Sequence, residues 1–350
     1  MNEEIKPWVG MTQAVLRVVL VVLVVALALW PVLGSARADT LNVVPVGRAV
    51  GIKLFSDGVV VVGTSEIDTQ VGMVNPAKEC GLKEGDVITH INSTEVDTIE
   101  EVSALLQELE GQSMSIRAIR DDKQVQLTAQ AALCTSDGCY KLGAWIRDSM
   151  AGIGTVTFYC PETGAFGALG HGISDVDTAL LMPLESGSIL PASVSGVEPG
   201  KAGTPGQLKG VFDTSVTLGA LAINTDNGVF GTLSGETGWT GQEVEVAPRN
   251  EVKAGKATIL SNISGDCVEE YTIQIVRVYP ESESDCRDFL IRVTDQRLLD
   301  ATGGIVQGMS GSPILQNGKL VGAVTHVMVD DPTSGYGIYA GRMLQECGEL

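Results

Sequence analysis

From Gly152 onward the chain is divided into short apolar runs by glycines and by Ser, Asp and Asn turns. The runs are Gly152–Phe158, Val216–Ile223, Glu243–Val246, Ala257–Leu260, Tyr271–Tyr279, Phe289–Val293, Ile314–Leu315 and Val321–Val327. Helices in globular domains need longer periodic stretches, whereas a half-buried strand needs only four to eight residues between turn signals. This half of the chain is therefore expected to be mainly β, as a sandwich or a pair of barrels. The 42 glycines and the low aromatic content of 5% fit that expectation.

The N-terminus obeys a different rule. Ala14 to Leu33 is apolar except for Arg17, long enough to cross a bilayer. Lys6 and Arg17 precede its core, which sends the remainder outward. Ala36-Arg37-Ala38 fits a signal-peptidase site, so residues 1–38 read as a transmembrane signal anchor or a cleaved signal peptide. On either reading the rest of the chain is extracytoplasmic. The net charge of −20 and the lack of a basic cluster exclude nucleic acid as a partner class. The seven cysteines contain no CxxC pair, so zinc-ribbon and thioredoxin patterns are absent. Cys134 and Cys139 flank a Thr-Ser-Asp-Gly turn, where export would permit a bridge.

Residues 45–132 read as a small domain and 133–350 as a larger one. In the first, Val50–Phe55 and Val59–Val62 are strand candidates around a Ser-Asp-Gly turn. Thr98-x-x-Glu101 is a capping box, and Val102, Leu105, Leu106 and Leu109 follow at helical spacing up to Gly111. Between them stands Pro76-Ala77-x-x-x-Gly81-Leu82-x-x-Gly85-Asp86-Val87-Ile88-x-x-Ile91-Asn92. This pattern resembles a bacterial PDZ domain. The resemblance implies a peptide groove along Gly51, Ile52, Lys53 and Leu54, with the Thr98–Leu109 helix as its other wall. An extended peptide would add there by strand pairing, with amides near Gly51 receiving a terminal carboxylate.

The chemistry concentrates in Gly308-Met309-Ser310-Gly311-Ser312-Pro313. A nucleophilic serine needs an exposed Oγ on a tight turn, with backbone N–H groups aimed at the developing oxyanion. Ser310 is thus the candidate nucleophile, with the amides of Gly308 and Ser310 as the oxyanion site. The chain has three histidines. His171, set among glycines in Gly167–Gly172, is the candidate base; His326 reads as lining the cleft and His90 as structural. The Gly-x-Ser-Gly-Ser-Pro run and the strands after it resemble the second barrel of chymotrypsin-like peptidases. That implies a chymotrypsin-like double β-barrel, in this chain with Met309 where zymogen-activated members carry an acid.

Four further segments match one family: Gly152–Tyr159, Gly167–Asp175, Thr302–Ser310, and Val324–Val327 with Asp331–Gly337. On these the chain resembles the stage IV sporulation protein B peptidases of endospore-forming bacteria. The resemblance implies a serine endopeptidase, with no metal or cofactor, that works in the space between the two forespore membranes. It implies cleavage of a membrane-bound regulatory protein, which releases an intramembrane protease acting on a pro-sigma factor. It also implies self-cleavage, expected in the link Ala38–Arg48 and within about residues 39–60, with the N-terminal segment itself a possible PDZ ligand. The triad acid implied is Asp295. Two alternatives stay open: Asp295 as the N-cap of a helix starting at Gln296, or an acid from the histidine's own barrel, with Asp175, Asp213 and Asp226 available.

Overall fold

The computed structural model describes residues 42–235, 237–280 and 287–348. The expected membrane segment, the Ala36–Ala38 site and Cys286 lie outside the described residues. Among the described residues no helix is long and apolar enough to cross a membrane.

The first strand, β1 (Asn42–Thr64), runs through the expected Ser56–Gly58 turn without breaking. Its second half enters a small module. Helix α1 (Pro76–Cys80) starts on an Asn75 cap, with proline at its first turn, and stops on a left-handed Gly81. Strand β2 (Val87–Ile91) pairs with β1 at Val59 and Val60. Helix α2 (Ile99–Glu108) opens on the capping box read from the sequence, with Thr98 and Glu101 satisfying each other's amides. Val102 and Leu106 turn inward from it. Strands β3 (Ser113–Arg120) and β4 (Lys123–Gln130) complete the sheet. The core of this module runs from Val59 to Leu142 and collects Ala77, Leu82, Ile88, Val102, Leu106 and Ile116.

Strand β5 (Ala144–Tyr159) returns alongside β1 for nearly the whole of β1's length. Strands β6 (Ala165–Ala168), β7 (Ser186–Glu198), β8 (Gly219–Thr225) and β9 (Gly228–Leu233) follow. The pairings β1–β5, β5–β6, β6–β9, β9–β8, β8–β7 and β7–β1 close into a ring. Val50, Ile52, Val156, Phe166, Ile189 and Val229 fill it. A second closed barrel comprises β10 (Gly255–Ser264), β11 (Cys267–Val278), β12 (Phe289–Val293), β13 (Pro313–Gln316), β14 (Lys319–Met328) and β15 (Asp331–Tyr339). Ile259, Ile273, Ile291, Ile314 and Val324 fill that one. Helix α3 (Gln296–Thr302) lies between β12 and β13, and α4 (Ala340–Cys347) follows β15. Ala340, Met343 and Cys347 of α4 share a core with Phe158 and Phe230 of the first ring and Ala323 of the second.

Two expectations need correction. The boundary at 45–132 cuts through β1: residues 42–55 are a strand of the first ring, and the small module is inserted after it. The reason is pairing, because Val50–Phe55 has β5 on one edge and β7 on the other. Cys134 and Cys139 are free thiols. The Cys134 amide donates to the Cys139 carbonyl at 2.9 Å, closing the turn through the backbone.

Candidate active site

Ser310 sits on a turn that only a glycine-flanked sequence can make. Gly311 has φ +97°, and a Cβ there would lie 2.0 Å from the Thr155 carbonyl oxygen. The close approach is used. Thr155, on β5 of the first ring, donates from its amide to the Ser310 carbonyl at 3.1 Å and from Oγ1 to the Gly308 carbonyl at 2.7 Å. Its own carbonyl accepts from the Leu169 amide at 3.1 Å, two residues before His171. One buried threonine therefore ties the serine turn to the histidine segment. The amides of Gly308 and Ser310, the expected oxyanion donors, have no acceptor among the described residues. They are free to receive one.

Ser310 and His171 open on the same cavity of about 470 Å³, with Thr325 and His326 on one wall and Ile153 and Ile305 on another. Among the described residues no aspartate, glutamate, lysine or arginine lines it. Ser310 Oγ donates to the Thr325 carbonyl at 2.7 Å. The His171 Nδ1 is 2.8 Å from the Gly172 carbonyl, which fits the tautomer with the proton on Nδ1 and leaves Nε2 as the proton acceptor. Burial lowers the His171 pKa, outweighing the Gly172 carbonyl, which acts in the opposite direction. A neutral imidazole is the form a general base requires. The exposed His326 ring lies 5.0 Å from it, tilted by 36°. His90 belongs to β2, in the small module.

Asp295 is not brought to His171. Its Oδ1 accepts from the Arg297 amide at 3.0 Å, capping α3, and its Oδ2 accepts from the Thr272 amide at 3.2 Å and from Arg297 Nη2 at 3.1 Å. The Arg297 guanidinium holds its pKa down at about 2. Of the two sequence readings, the geometry is that of the cap. Asp213 accepts from the amide and hydroxyl of Ser215, and Asp175 pairs with Arg147. The residue that does secure the histidine segment was not singled out from the sequence. Asn224, on β8, accepts from the Ile173 amide at 2.8 Å and donates to the Ile173 and Met182 carbonyls at 2.9 Å each. Nothing local marks it, since its partners are 51 and 42 positions away.

The strand Gly51–Leu54 is also not a peptide site. Ile52 faces Gly152 on one side and Ile189 on the other, so both edges are occupied and no strand can add. An open groove exists instead between α2 and the start of β5. It holds about 530 Å³ and is lined by Ile99, Val102 and Leu106 on the helix and Leu142, Trp145 and Ile146 opposite. Ala144–Arg147 pairs with β1 on one edge, and among the described residues no strand covers the other.

Two barrel-like rings, a serine on a glycine-flanked turn between free amides, and a neutral histidine in the same cavity define a serine peptidase. The family model described as SpoIVB peptidase S55 matches residues 138–344, and a PDZ domain model matches residues 70–120. The chain belongs to the SpoIVB peptidase S55 family. No curated protein matches it. Among solved structures it is similar to the PDZ domain of the SdrC-like protein from Listeria monocytogenes, at 22% identity over 26% of this chain and 87% of that one, with a TM-score of 0.21. It is similar to the Rv3671c protease from M. tuberculosis in its active form, at 16% identity over 58% of this chain and 75% of that one, with a TM-score of 0.32. For the inactive form of that protease the identity is 13%, over 57% and 84%, with a TM-score of 0.32.

Proposed function

We propose that this peptidase carries out limited endoproteolysis outside the cytoplasm, with Ser310 as nucleophile and His171 as base on a chymotrypsin-like pair of β-barrels. The observation that carries the reading is the shared cavity of Ser310 and His171 beside the unpaired amides of Gly308 and Ser310. Ser310 Oγ leaves the Thr325 carbonyl, passes its proton to His171 Nε2 and attacks the scissile carbonyl. The two amides take up the oxyanion, and His171 returns the proton to the leaving amine. The Gly172 carbonyl fixes the tautomer that elsewhere an aspartate fixes.

The substrates in this reading are the chain's own N-terminal link and a membrane-bound regulatory protein that restrains an intramembrane protease during sporulation. Family membership supports that role, and the apolar run Ala14–Leu33 supports anchoring at the membrane where such a partner resides. The α2–β5 groove supports recognition of an extended peptide by strand addition. The test is labelling by a serine-directed fluorophosphonate. Wild type is expected to label at Ser310, and a folded Ser310→Ala variant to lose both labelling and cleavage. Undiminished cleavage by that variant overturns the assignment.

A further inference from the structure

Between His171 and the small module lies a tight hairpin, residues 173–182, that the catalytic chemistry does not use. Its strands are joined by the Met182 amide on the Ile173 carbonyl at 2.9 Å and the Asp175 amide on the Leu180 carbonyl at 2.9 Å. Toward the active site it packs against the backbone beside the base: a Cβ at Gly172 would lie 2.2 Å from Leu181 Cδ1. The Gly172 carbonyl is the group that holds His171 Nδ1. Toward the PDZ module a Cβ at Gly85 would lie 2.5 Å from Leu180 Cδ1. Met182 is buried in a cluster with Val60 and Leu54, against which Val87 and Ile173 pack. The hairpin thus touches both the module and the residue that fixes the base.

A charged link joins the same hairpin to the groove. Asp175 is buried, and its Oδ1 gathers the hairpin tip by accepting from the Asp177 and Thr178 amides at 3.0 and 2.9 Å. Its Oδ2 is paired with Arg147, whose other nitrogen reaches Asp177 at 2.9 Å. Arg147 follows directly on the groove strand Ala144–Ile146. Its neighbour Asp148 accepts from the Ile99 amide at 2.9 Å, at the start of the helix that forms the facing wall. Both walls of the groove therefore converge on residues 147 and 148. A buried carboxylate cannot lose its guanidinium partner cheaply, so the hairpin tip follows Arg147.

We propose that the 173–182 hairpin couples occupancy of the α2–β5 groove to the active site, with Arg147 as a positioning residue acting on His171 through Asp175. An extended peptide with apolar side chains in the groove shifts the 147–148 junction, and the hairpin passes that shift to the Gly172 carbonyl under the imidazole. The proposal rests on Ser310 and His171 being the catalytic pair.

The test needs no known ligand. Ser103, on the exposed rim of the groove, is replaced by tryptophan so that an indole fills the space a peptide would take. The rate of fluorophosphonate labelling of Ser310 is measured in the full chain for wild type, Ser103→Trp, Arg147→Gln and the double variant. Circular dichroism and thermal melting check folding. We expect Ser103→Trp to change the labelling rate about fivefold or more in the wild-type background and less than about twofold with Arg147→Gln, the scale of an ordinary allosteric coupling. Arg147→Lys, which keeps the charge, is expected to restore the response. A purely structural Arg147 would lower both rates by one factor and leave the response to Ser103→Trp intact, which overturns the proposal. An unchanged rate in Ser103→Trp alone overturns it too. If Arg147→Gln does not fold, Asp177→Asn, at the exposed end of the link, takes its place in the cycle. Wild type that does not label at all brings down the Ser310–His171 reading itself, a failure distinct from the other two.

Discussion

Thr155→Val isolates the contact that joins the two halves of the active site. Valine keeps the shape and the strand propensity of threonine, so the side chain still packs in the first ring. What it removes is the 2.7 Å hydrogen bond to the Gly308 carbonyl, at a site where Thr155 is 1% exposed. A buried carbonyl left without its donor costs about 1–3 kcal/mol, and we take about 2. At the entropy of unfolding usual for a unit of this size, that lowers Tm by about 3 °C. The activity loss should be larger than the stability loss implies. Gly308 carries one of the two oxyanion amides, and displacing a positioning group by about 1 Å costs about 100-fold in rate. Thr155→Ser is the control: it keeps the hydroxyl and gives up one methyl, about 1 kcal/mol. Thermal melting and the fluorophosphonate labelling rate, measured on both variants, separate the contributions. Valine should lose at least about tenfold more labelling than serine. If the two variants label alike, the Thr155–Gly308 bond does not hold the turn and the reasoning fails.

Three further outcomes follow from the site. Asp295→Asn should leave the labelling rate within a few fold of wild type, because Asn caps a helix about as well as Asp and no bond to His171 is lost; a drop of about 10⁴, the scale of an orienting acid, would restore Asp295 to the triad. Labelling should rise with pH as His171 loses its proton, with a midpoint below 6.5 because partial burial lowers the pKa in the folded protein; a midpoint above 6.5 would contradict a neutral base. The same group binds its proton more readily when unfolded, so its contribution to stability is lost as pH falls below about 6.5, which melting curves at pH 5 and 7 should show.

The parts of this protein that the sequence made legible are those governed by neighbours in the chain. Thr98 and Glu101 cap α2 from three residues apart, and the glycines beside Ser310 announce a tight turn wherever it sits. The β runs at Phe289–Val293 and Val321–Val327 were visible because they are apolar and flanked by turns. Strand β7 is not among those runs, since Ser186-Gly187-Ser188 and Pro191 break up its apolar residues; its pairing with β1 and β8 makes it a strand all the same. The groove was misplaced for a related reason. The PDZ resemblance makes Gly51–Leu54 a groove strand, but whether an edge is free depends on what pairs with it, and β7 arrives from about 135 residues later. Asp295 illustrates the limit most sharply. The family resemblance makes it a triad acid and its position before Gln-Arg-Leu-Leu suits a cap, and only the placement of Arg297 and Thr272 around it separates the two.

The path of β1 changes what self-cleavage can mean. A cut anywhere in residues 39–60 is open to a chain whose catalytic domain starts after the PDZ module. It is not open to one whose first ring contains residues 42–55. Val43, Val44, Ala49, Val50 and Leu54 are buried there, and Ala49–Phe55 pairs continuously with β5. Cutting within this stretch would require pulling a strand from a closed ring and breaking a ladder on both edges, and proteases act on exposed backbone far more readily. A Ser310-dependent cut should therefore fall before Asn42, leaving β1 whole, and the released form should remain folded and active. N-terminal sequencing of the products from wild type and Ser310→Ala, expressed side by side, tests both points. The same N-terminus in the two would assign the cut to another peptidase. A Ser310-dependent start between residues 43 and 60 in an active product would show that the ring tolerates loss of its first strand, and β1 would then not be the strand that holds the catalytic half together.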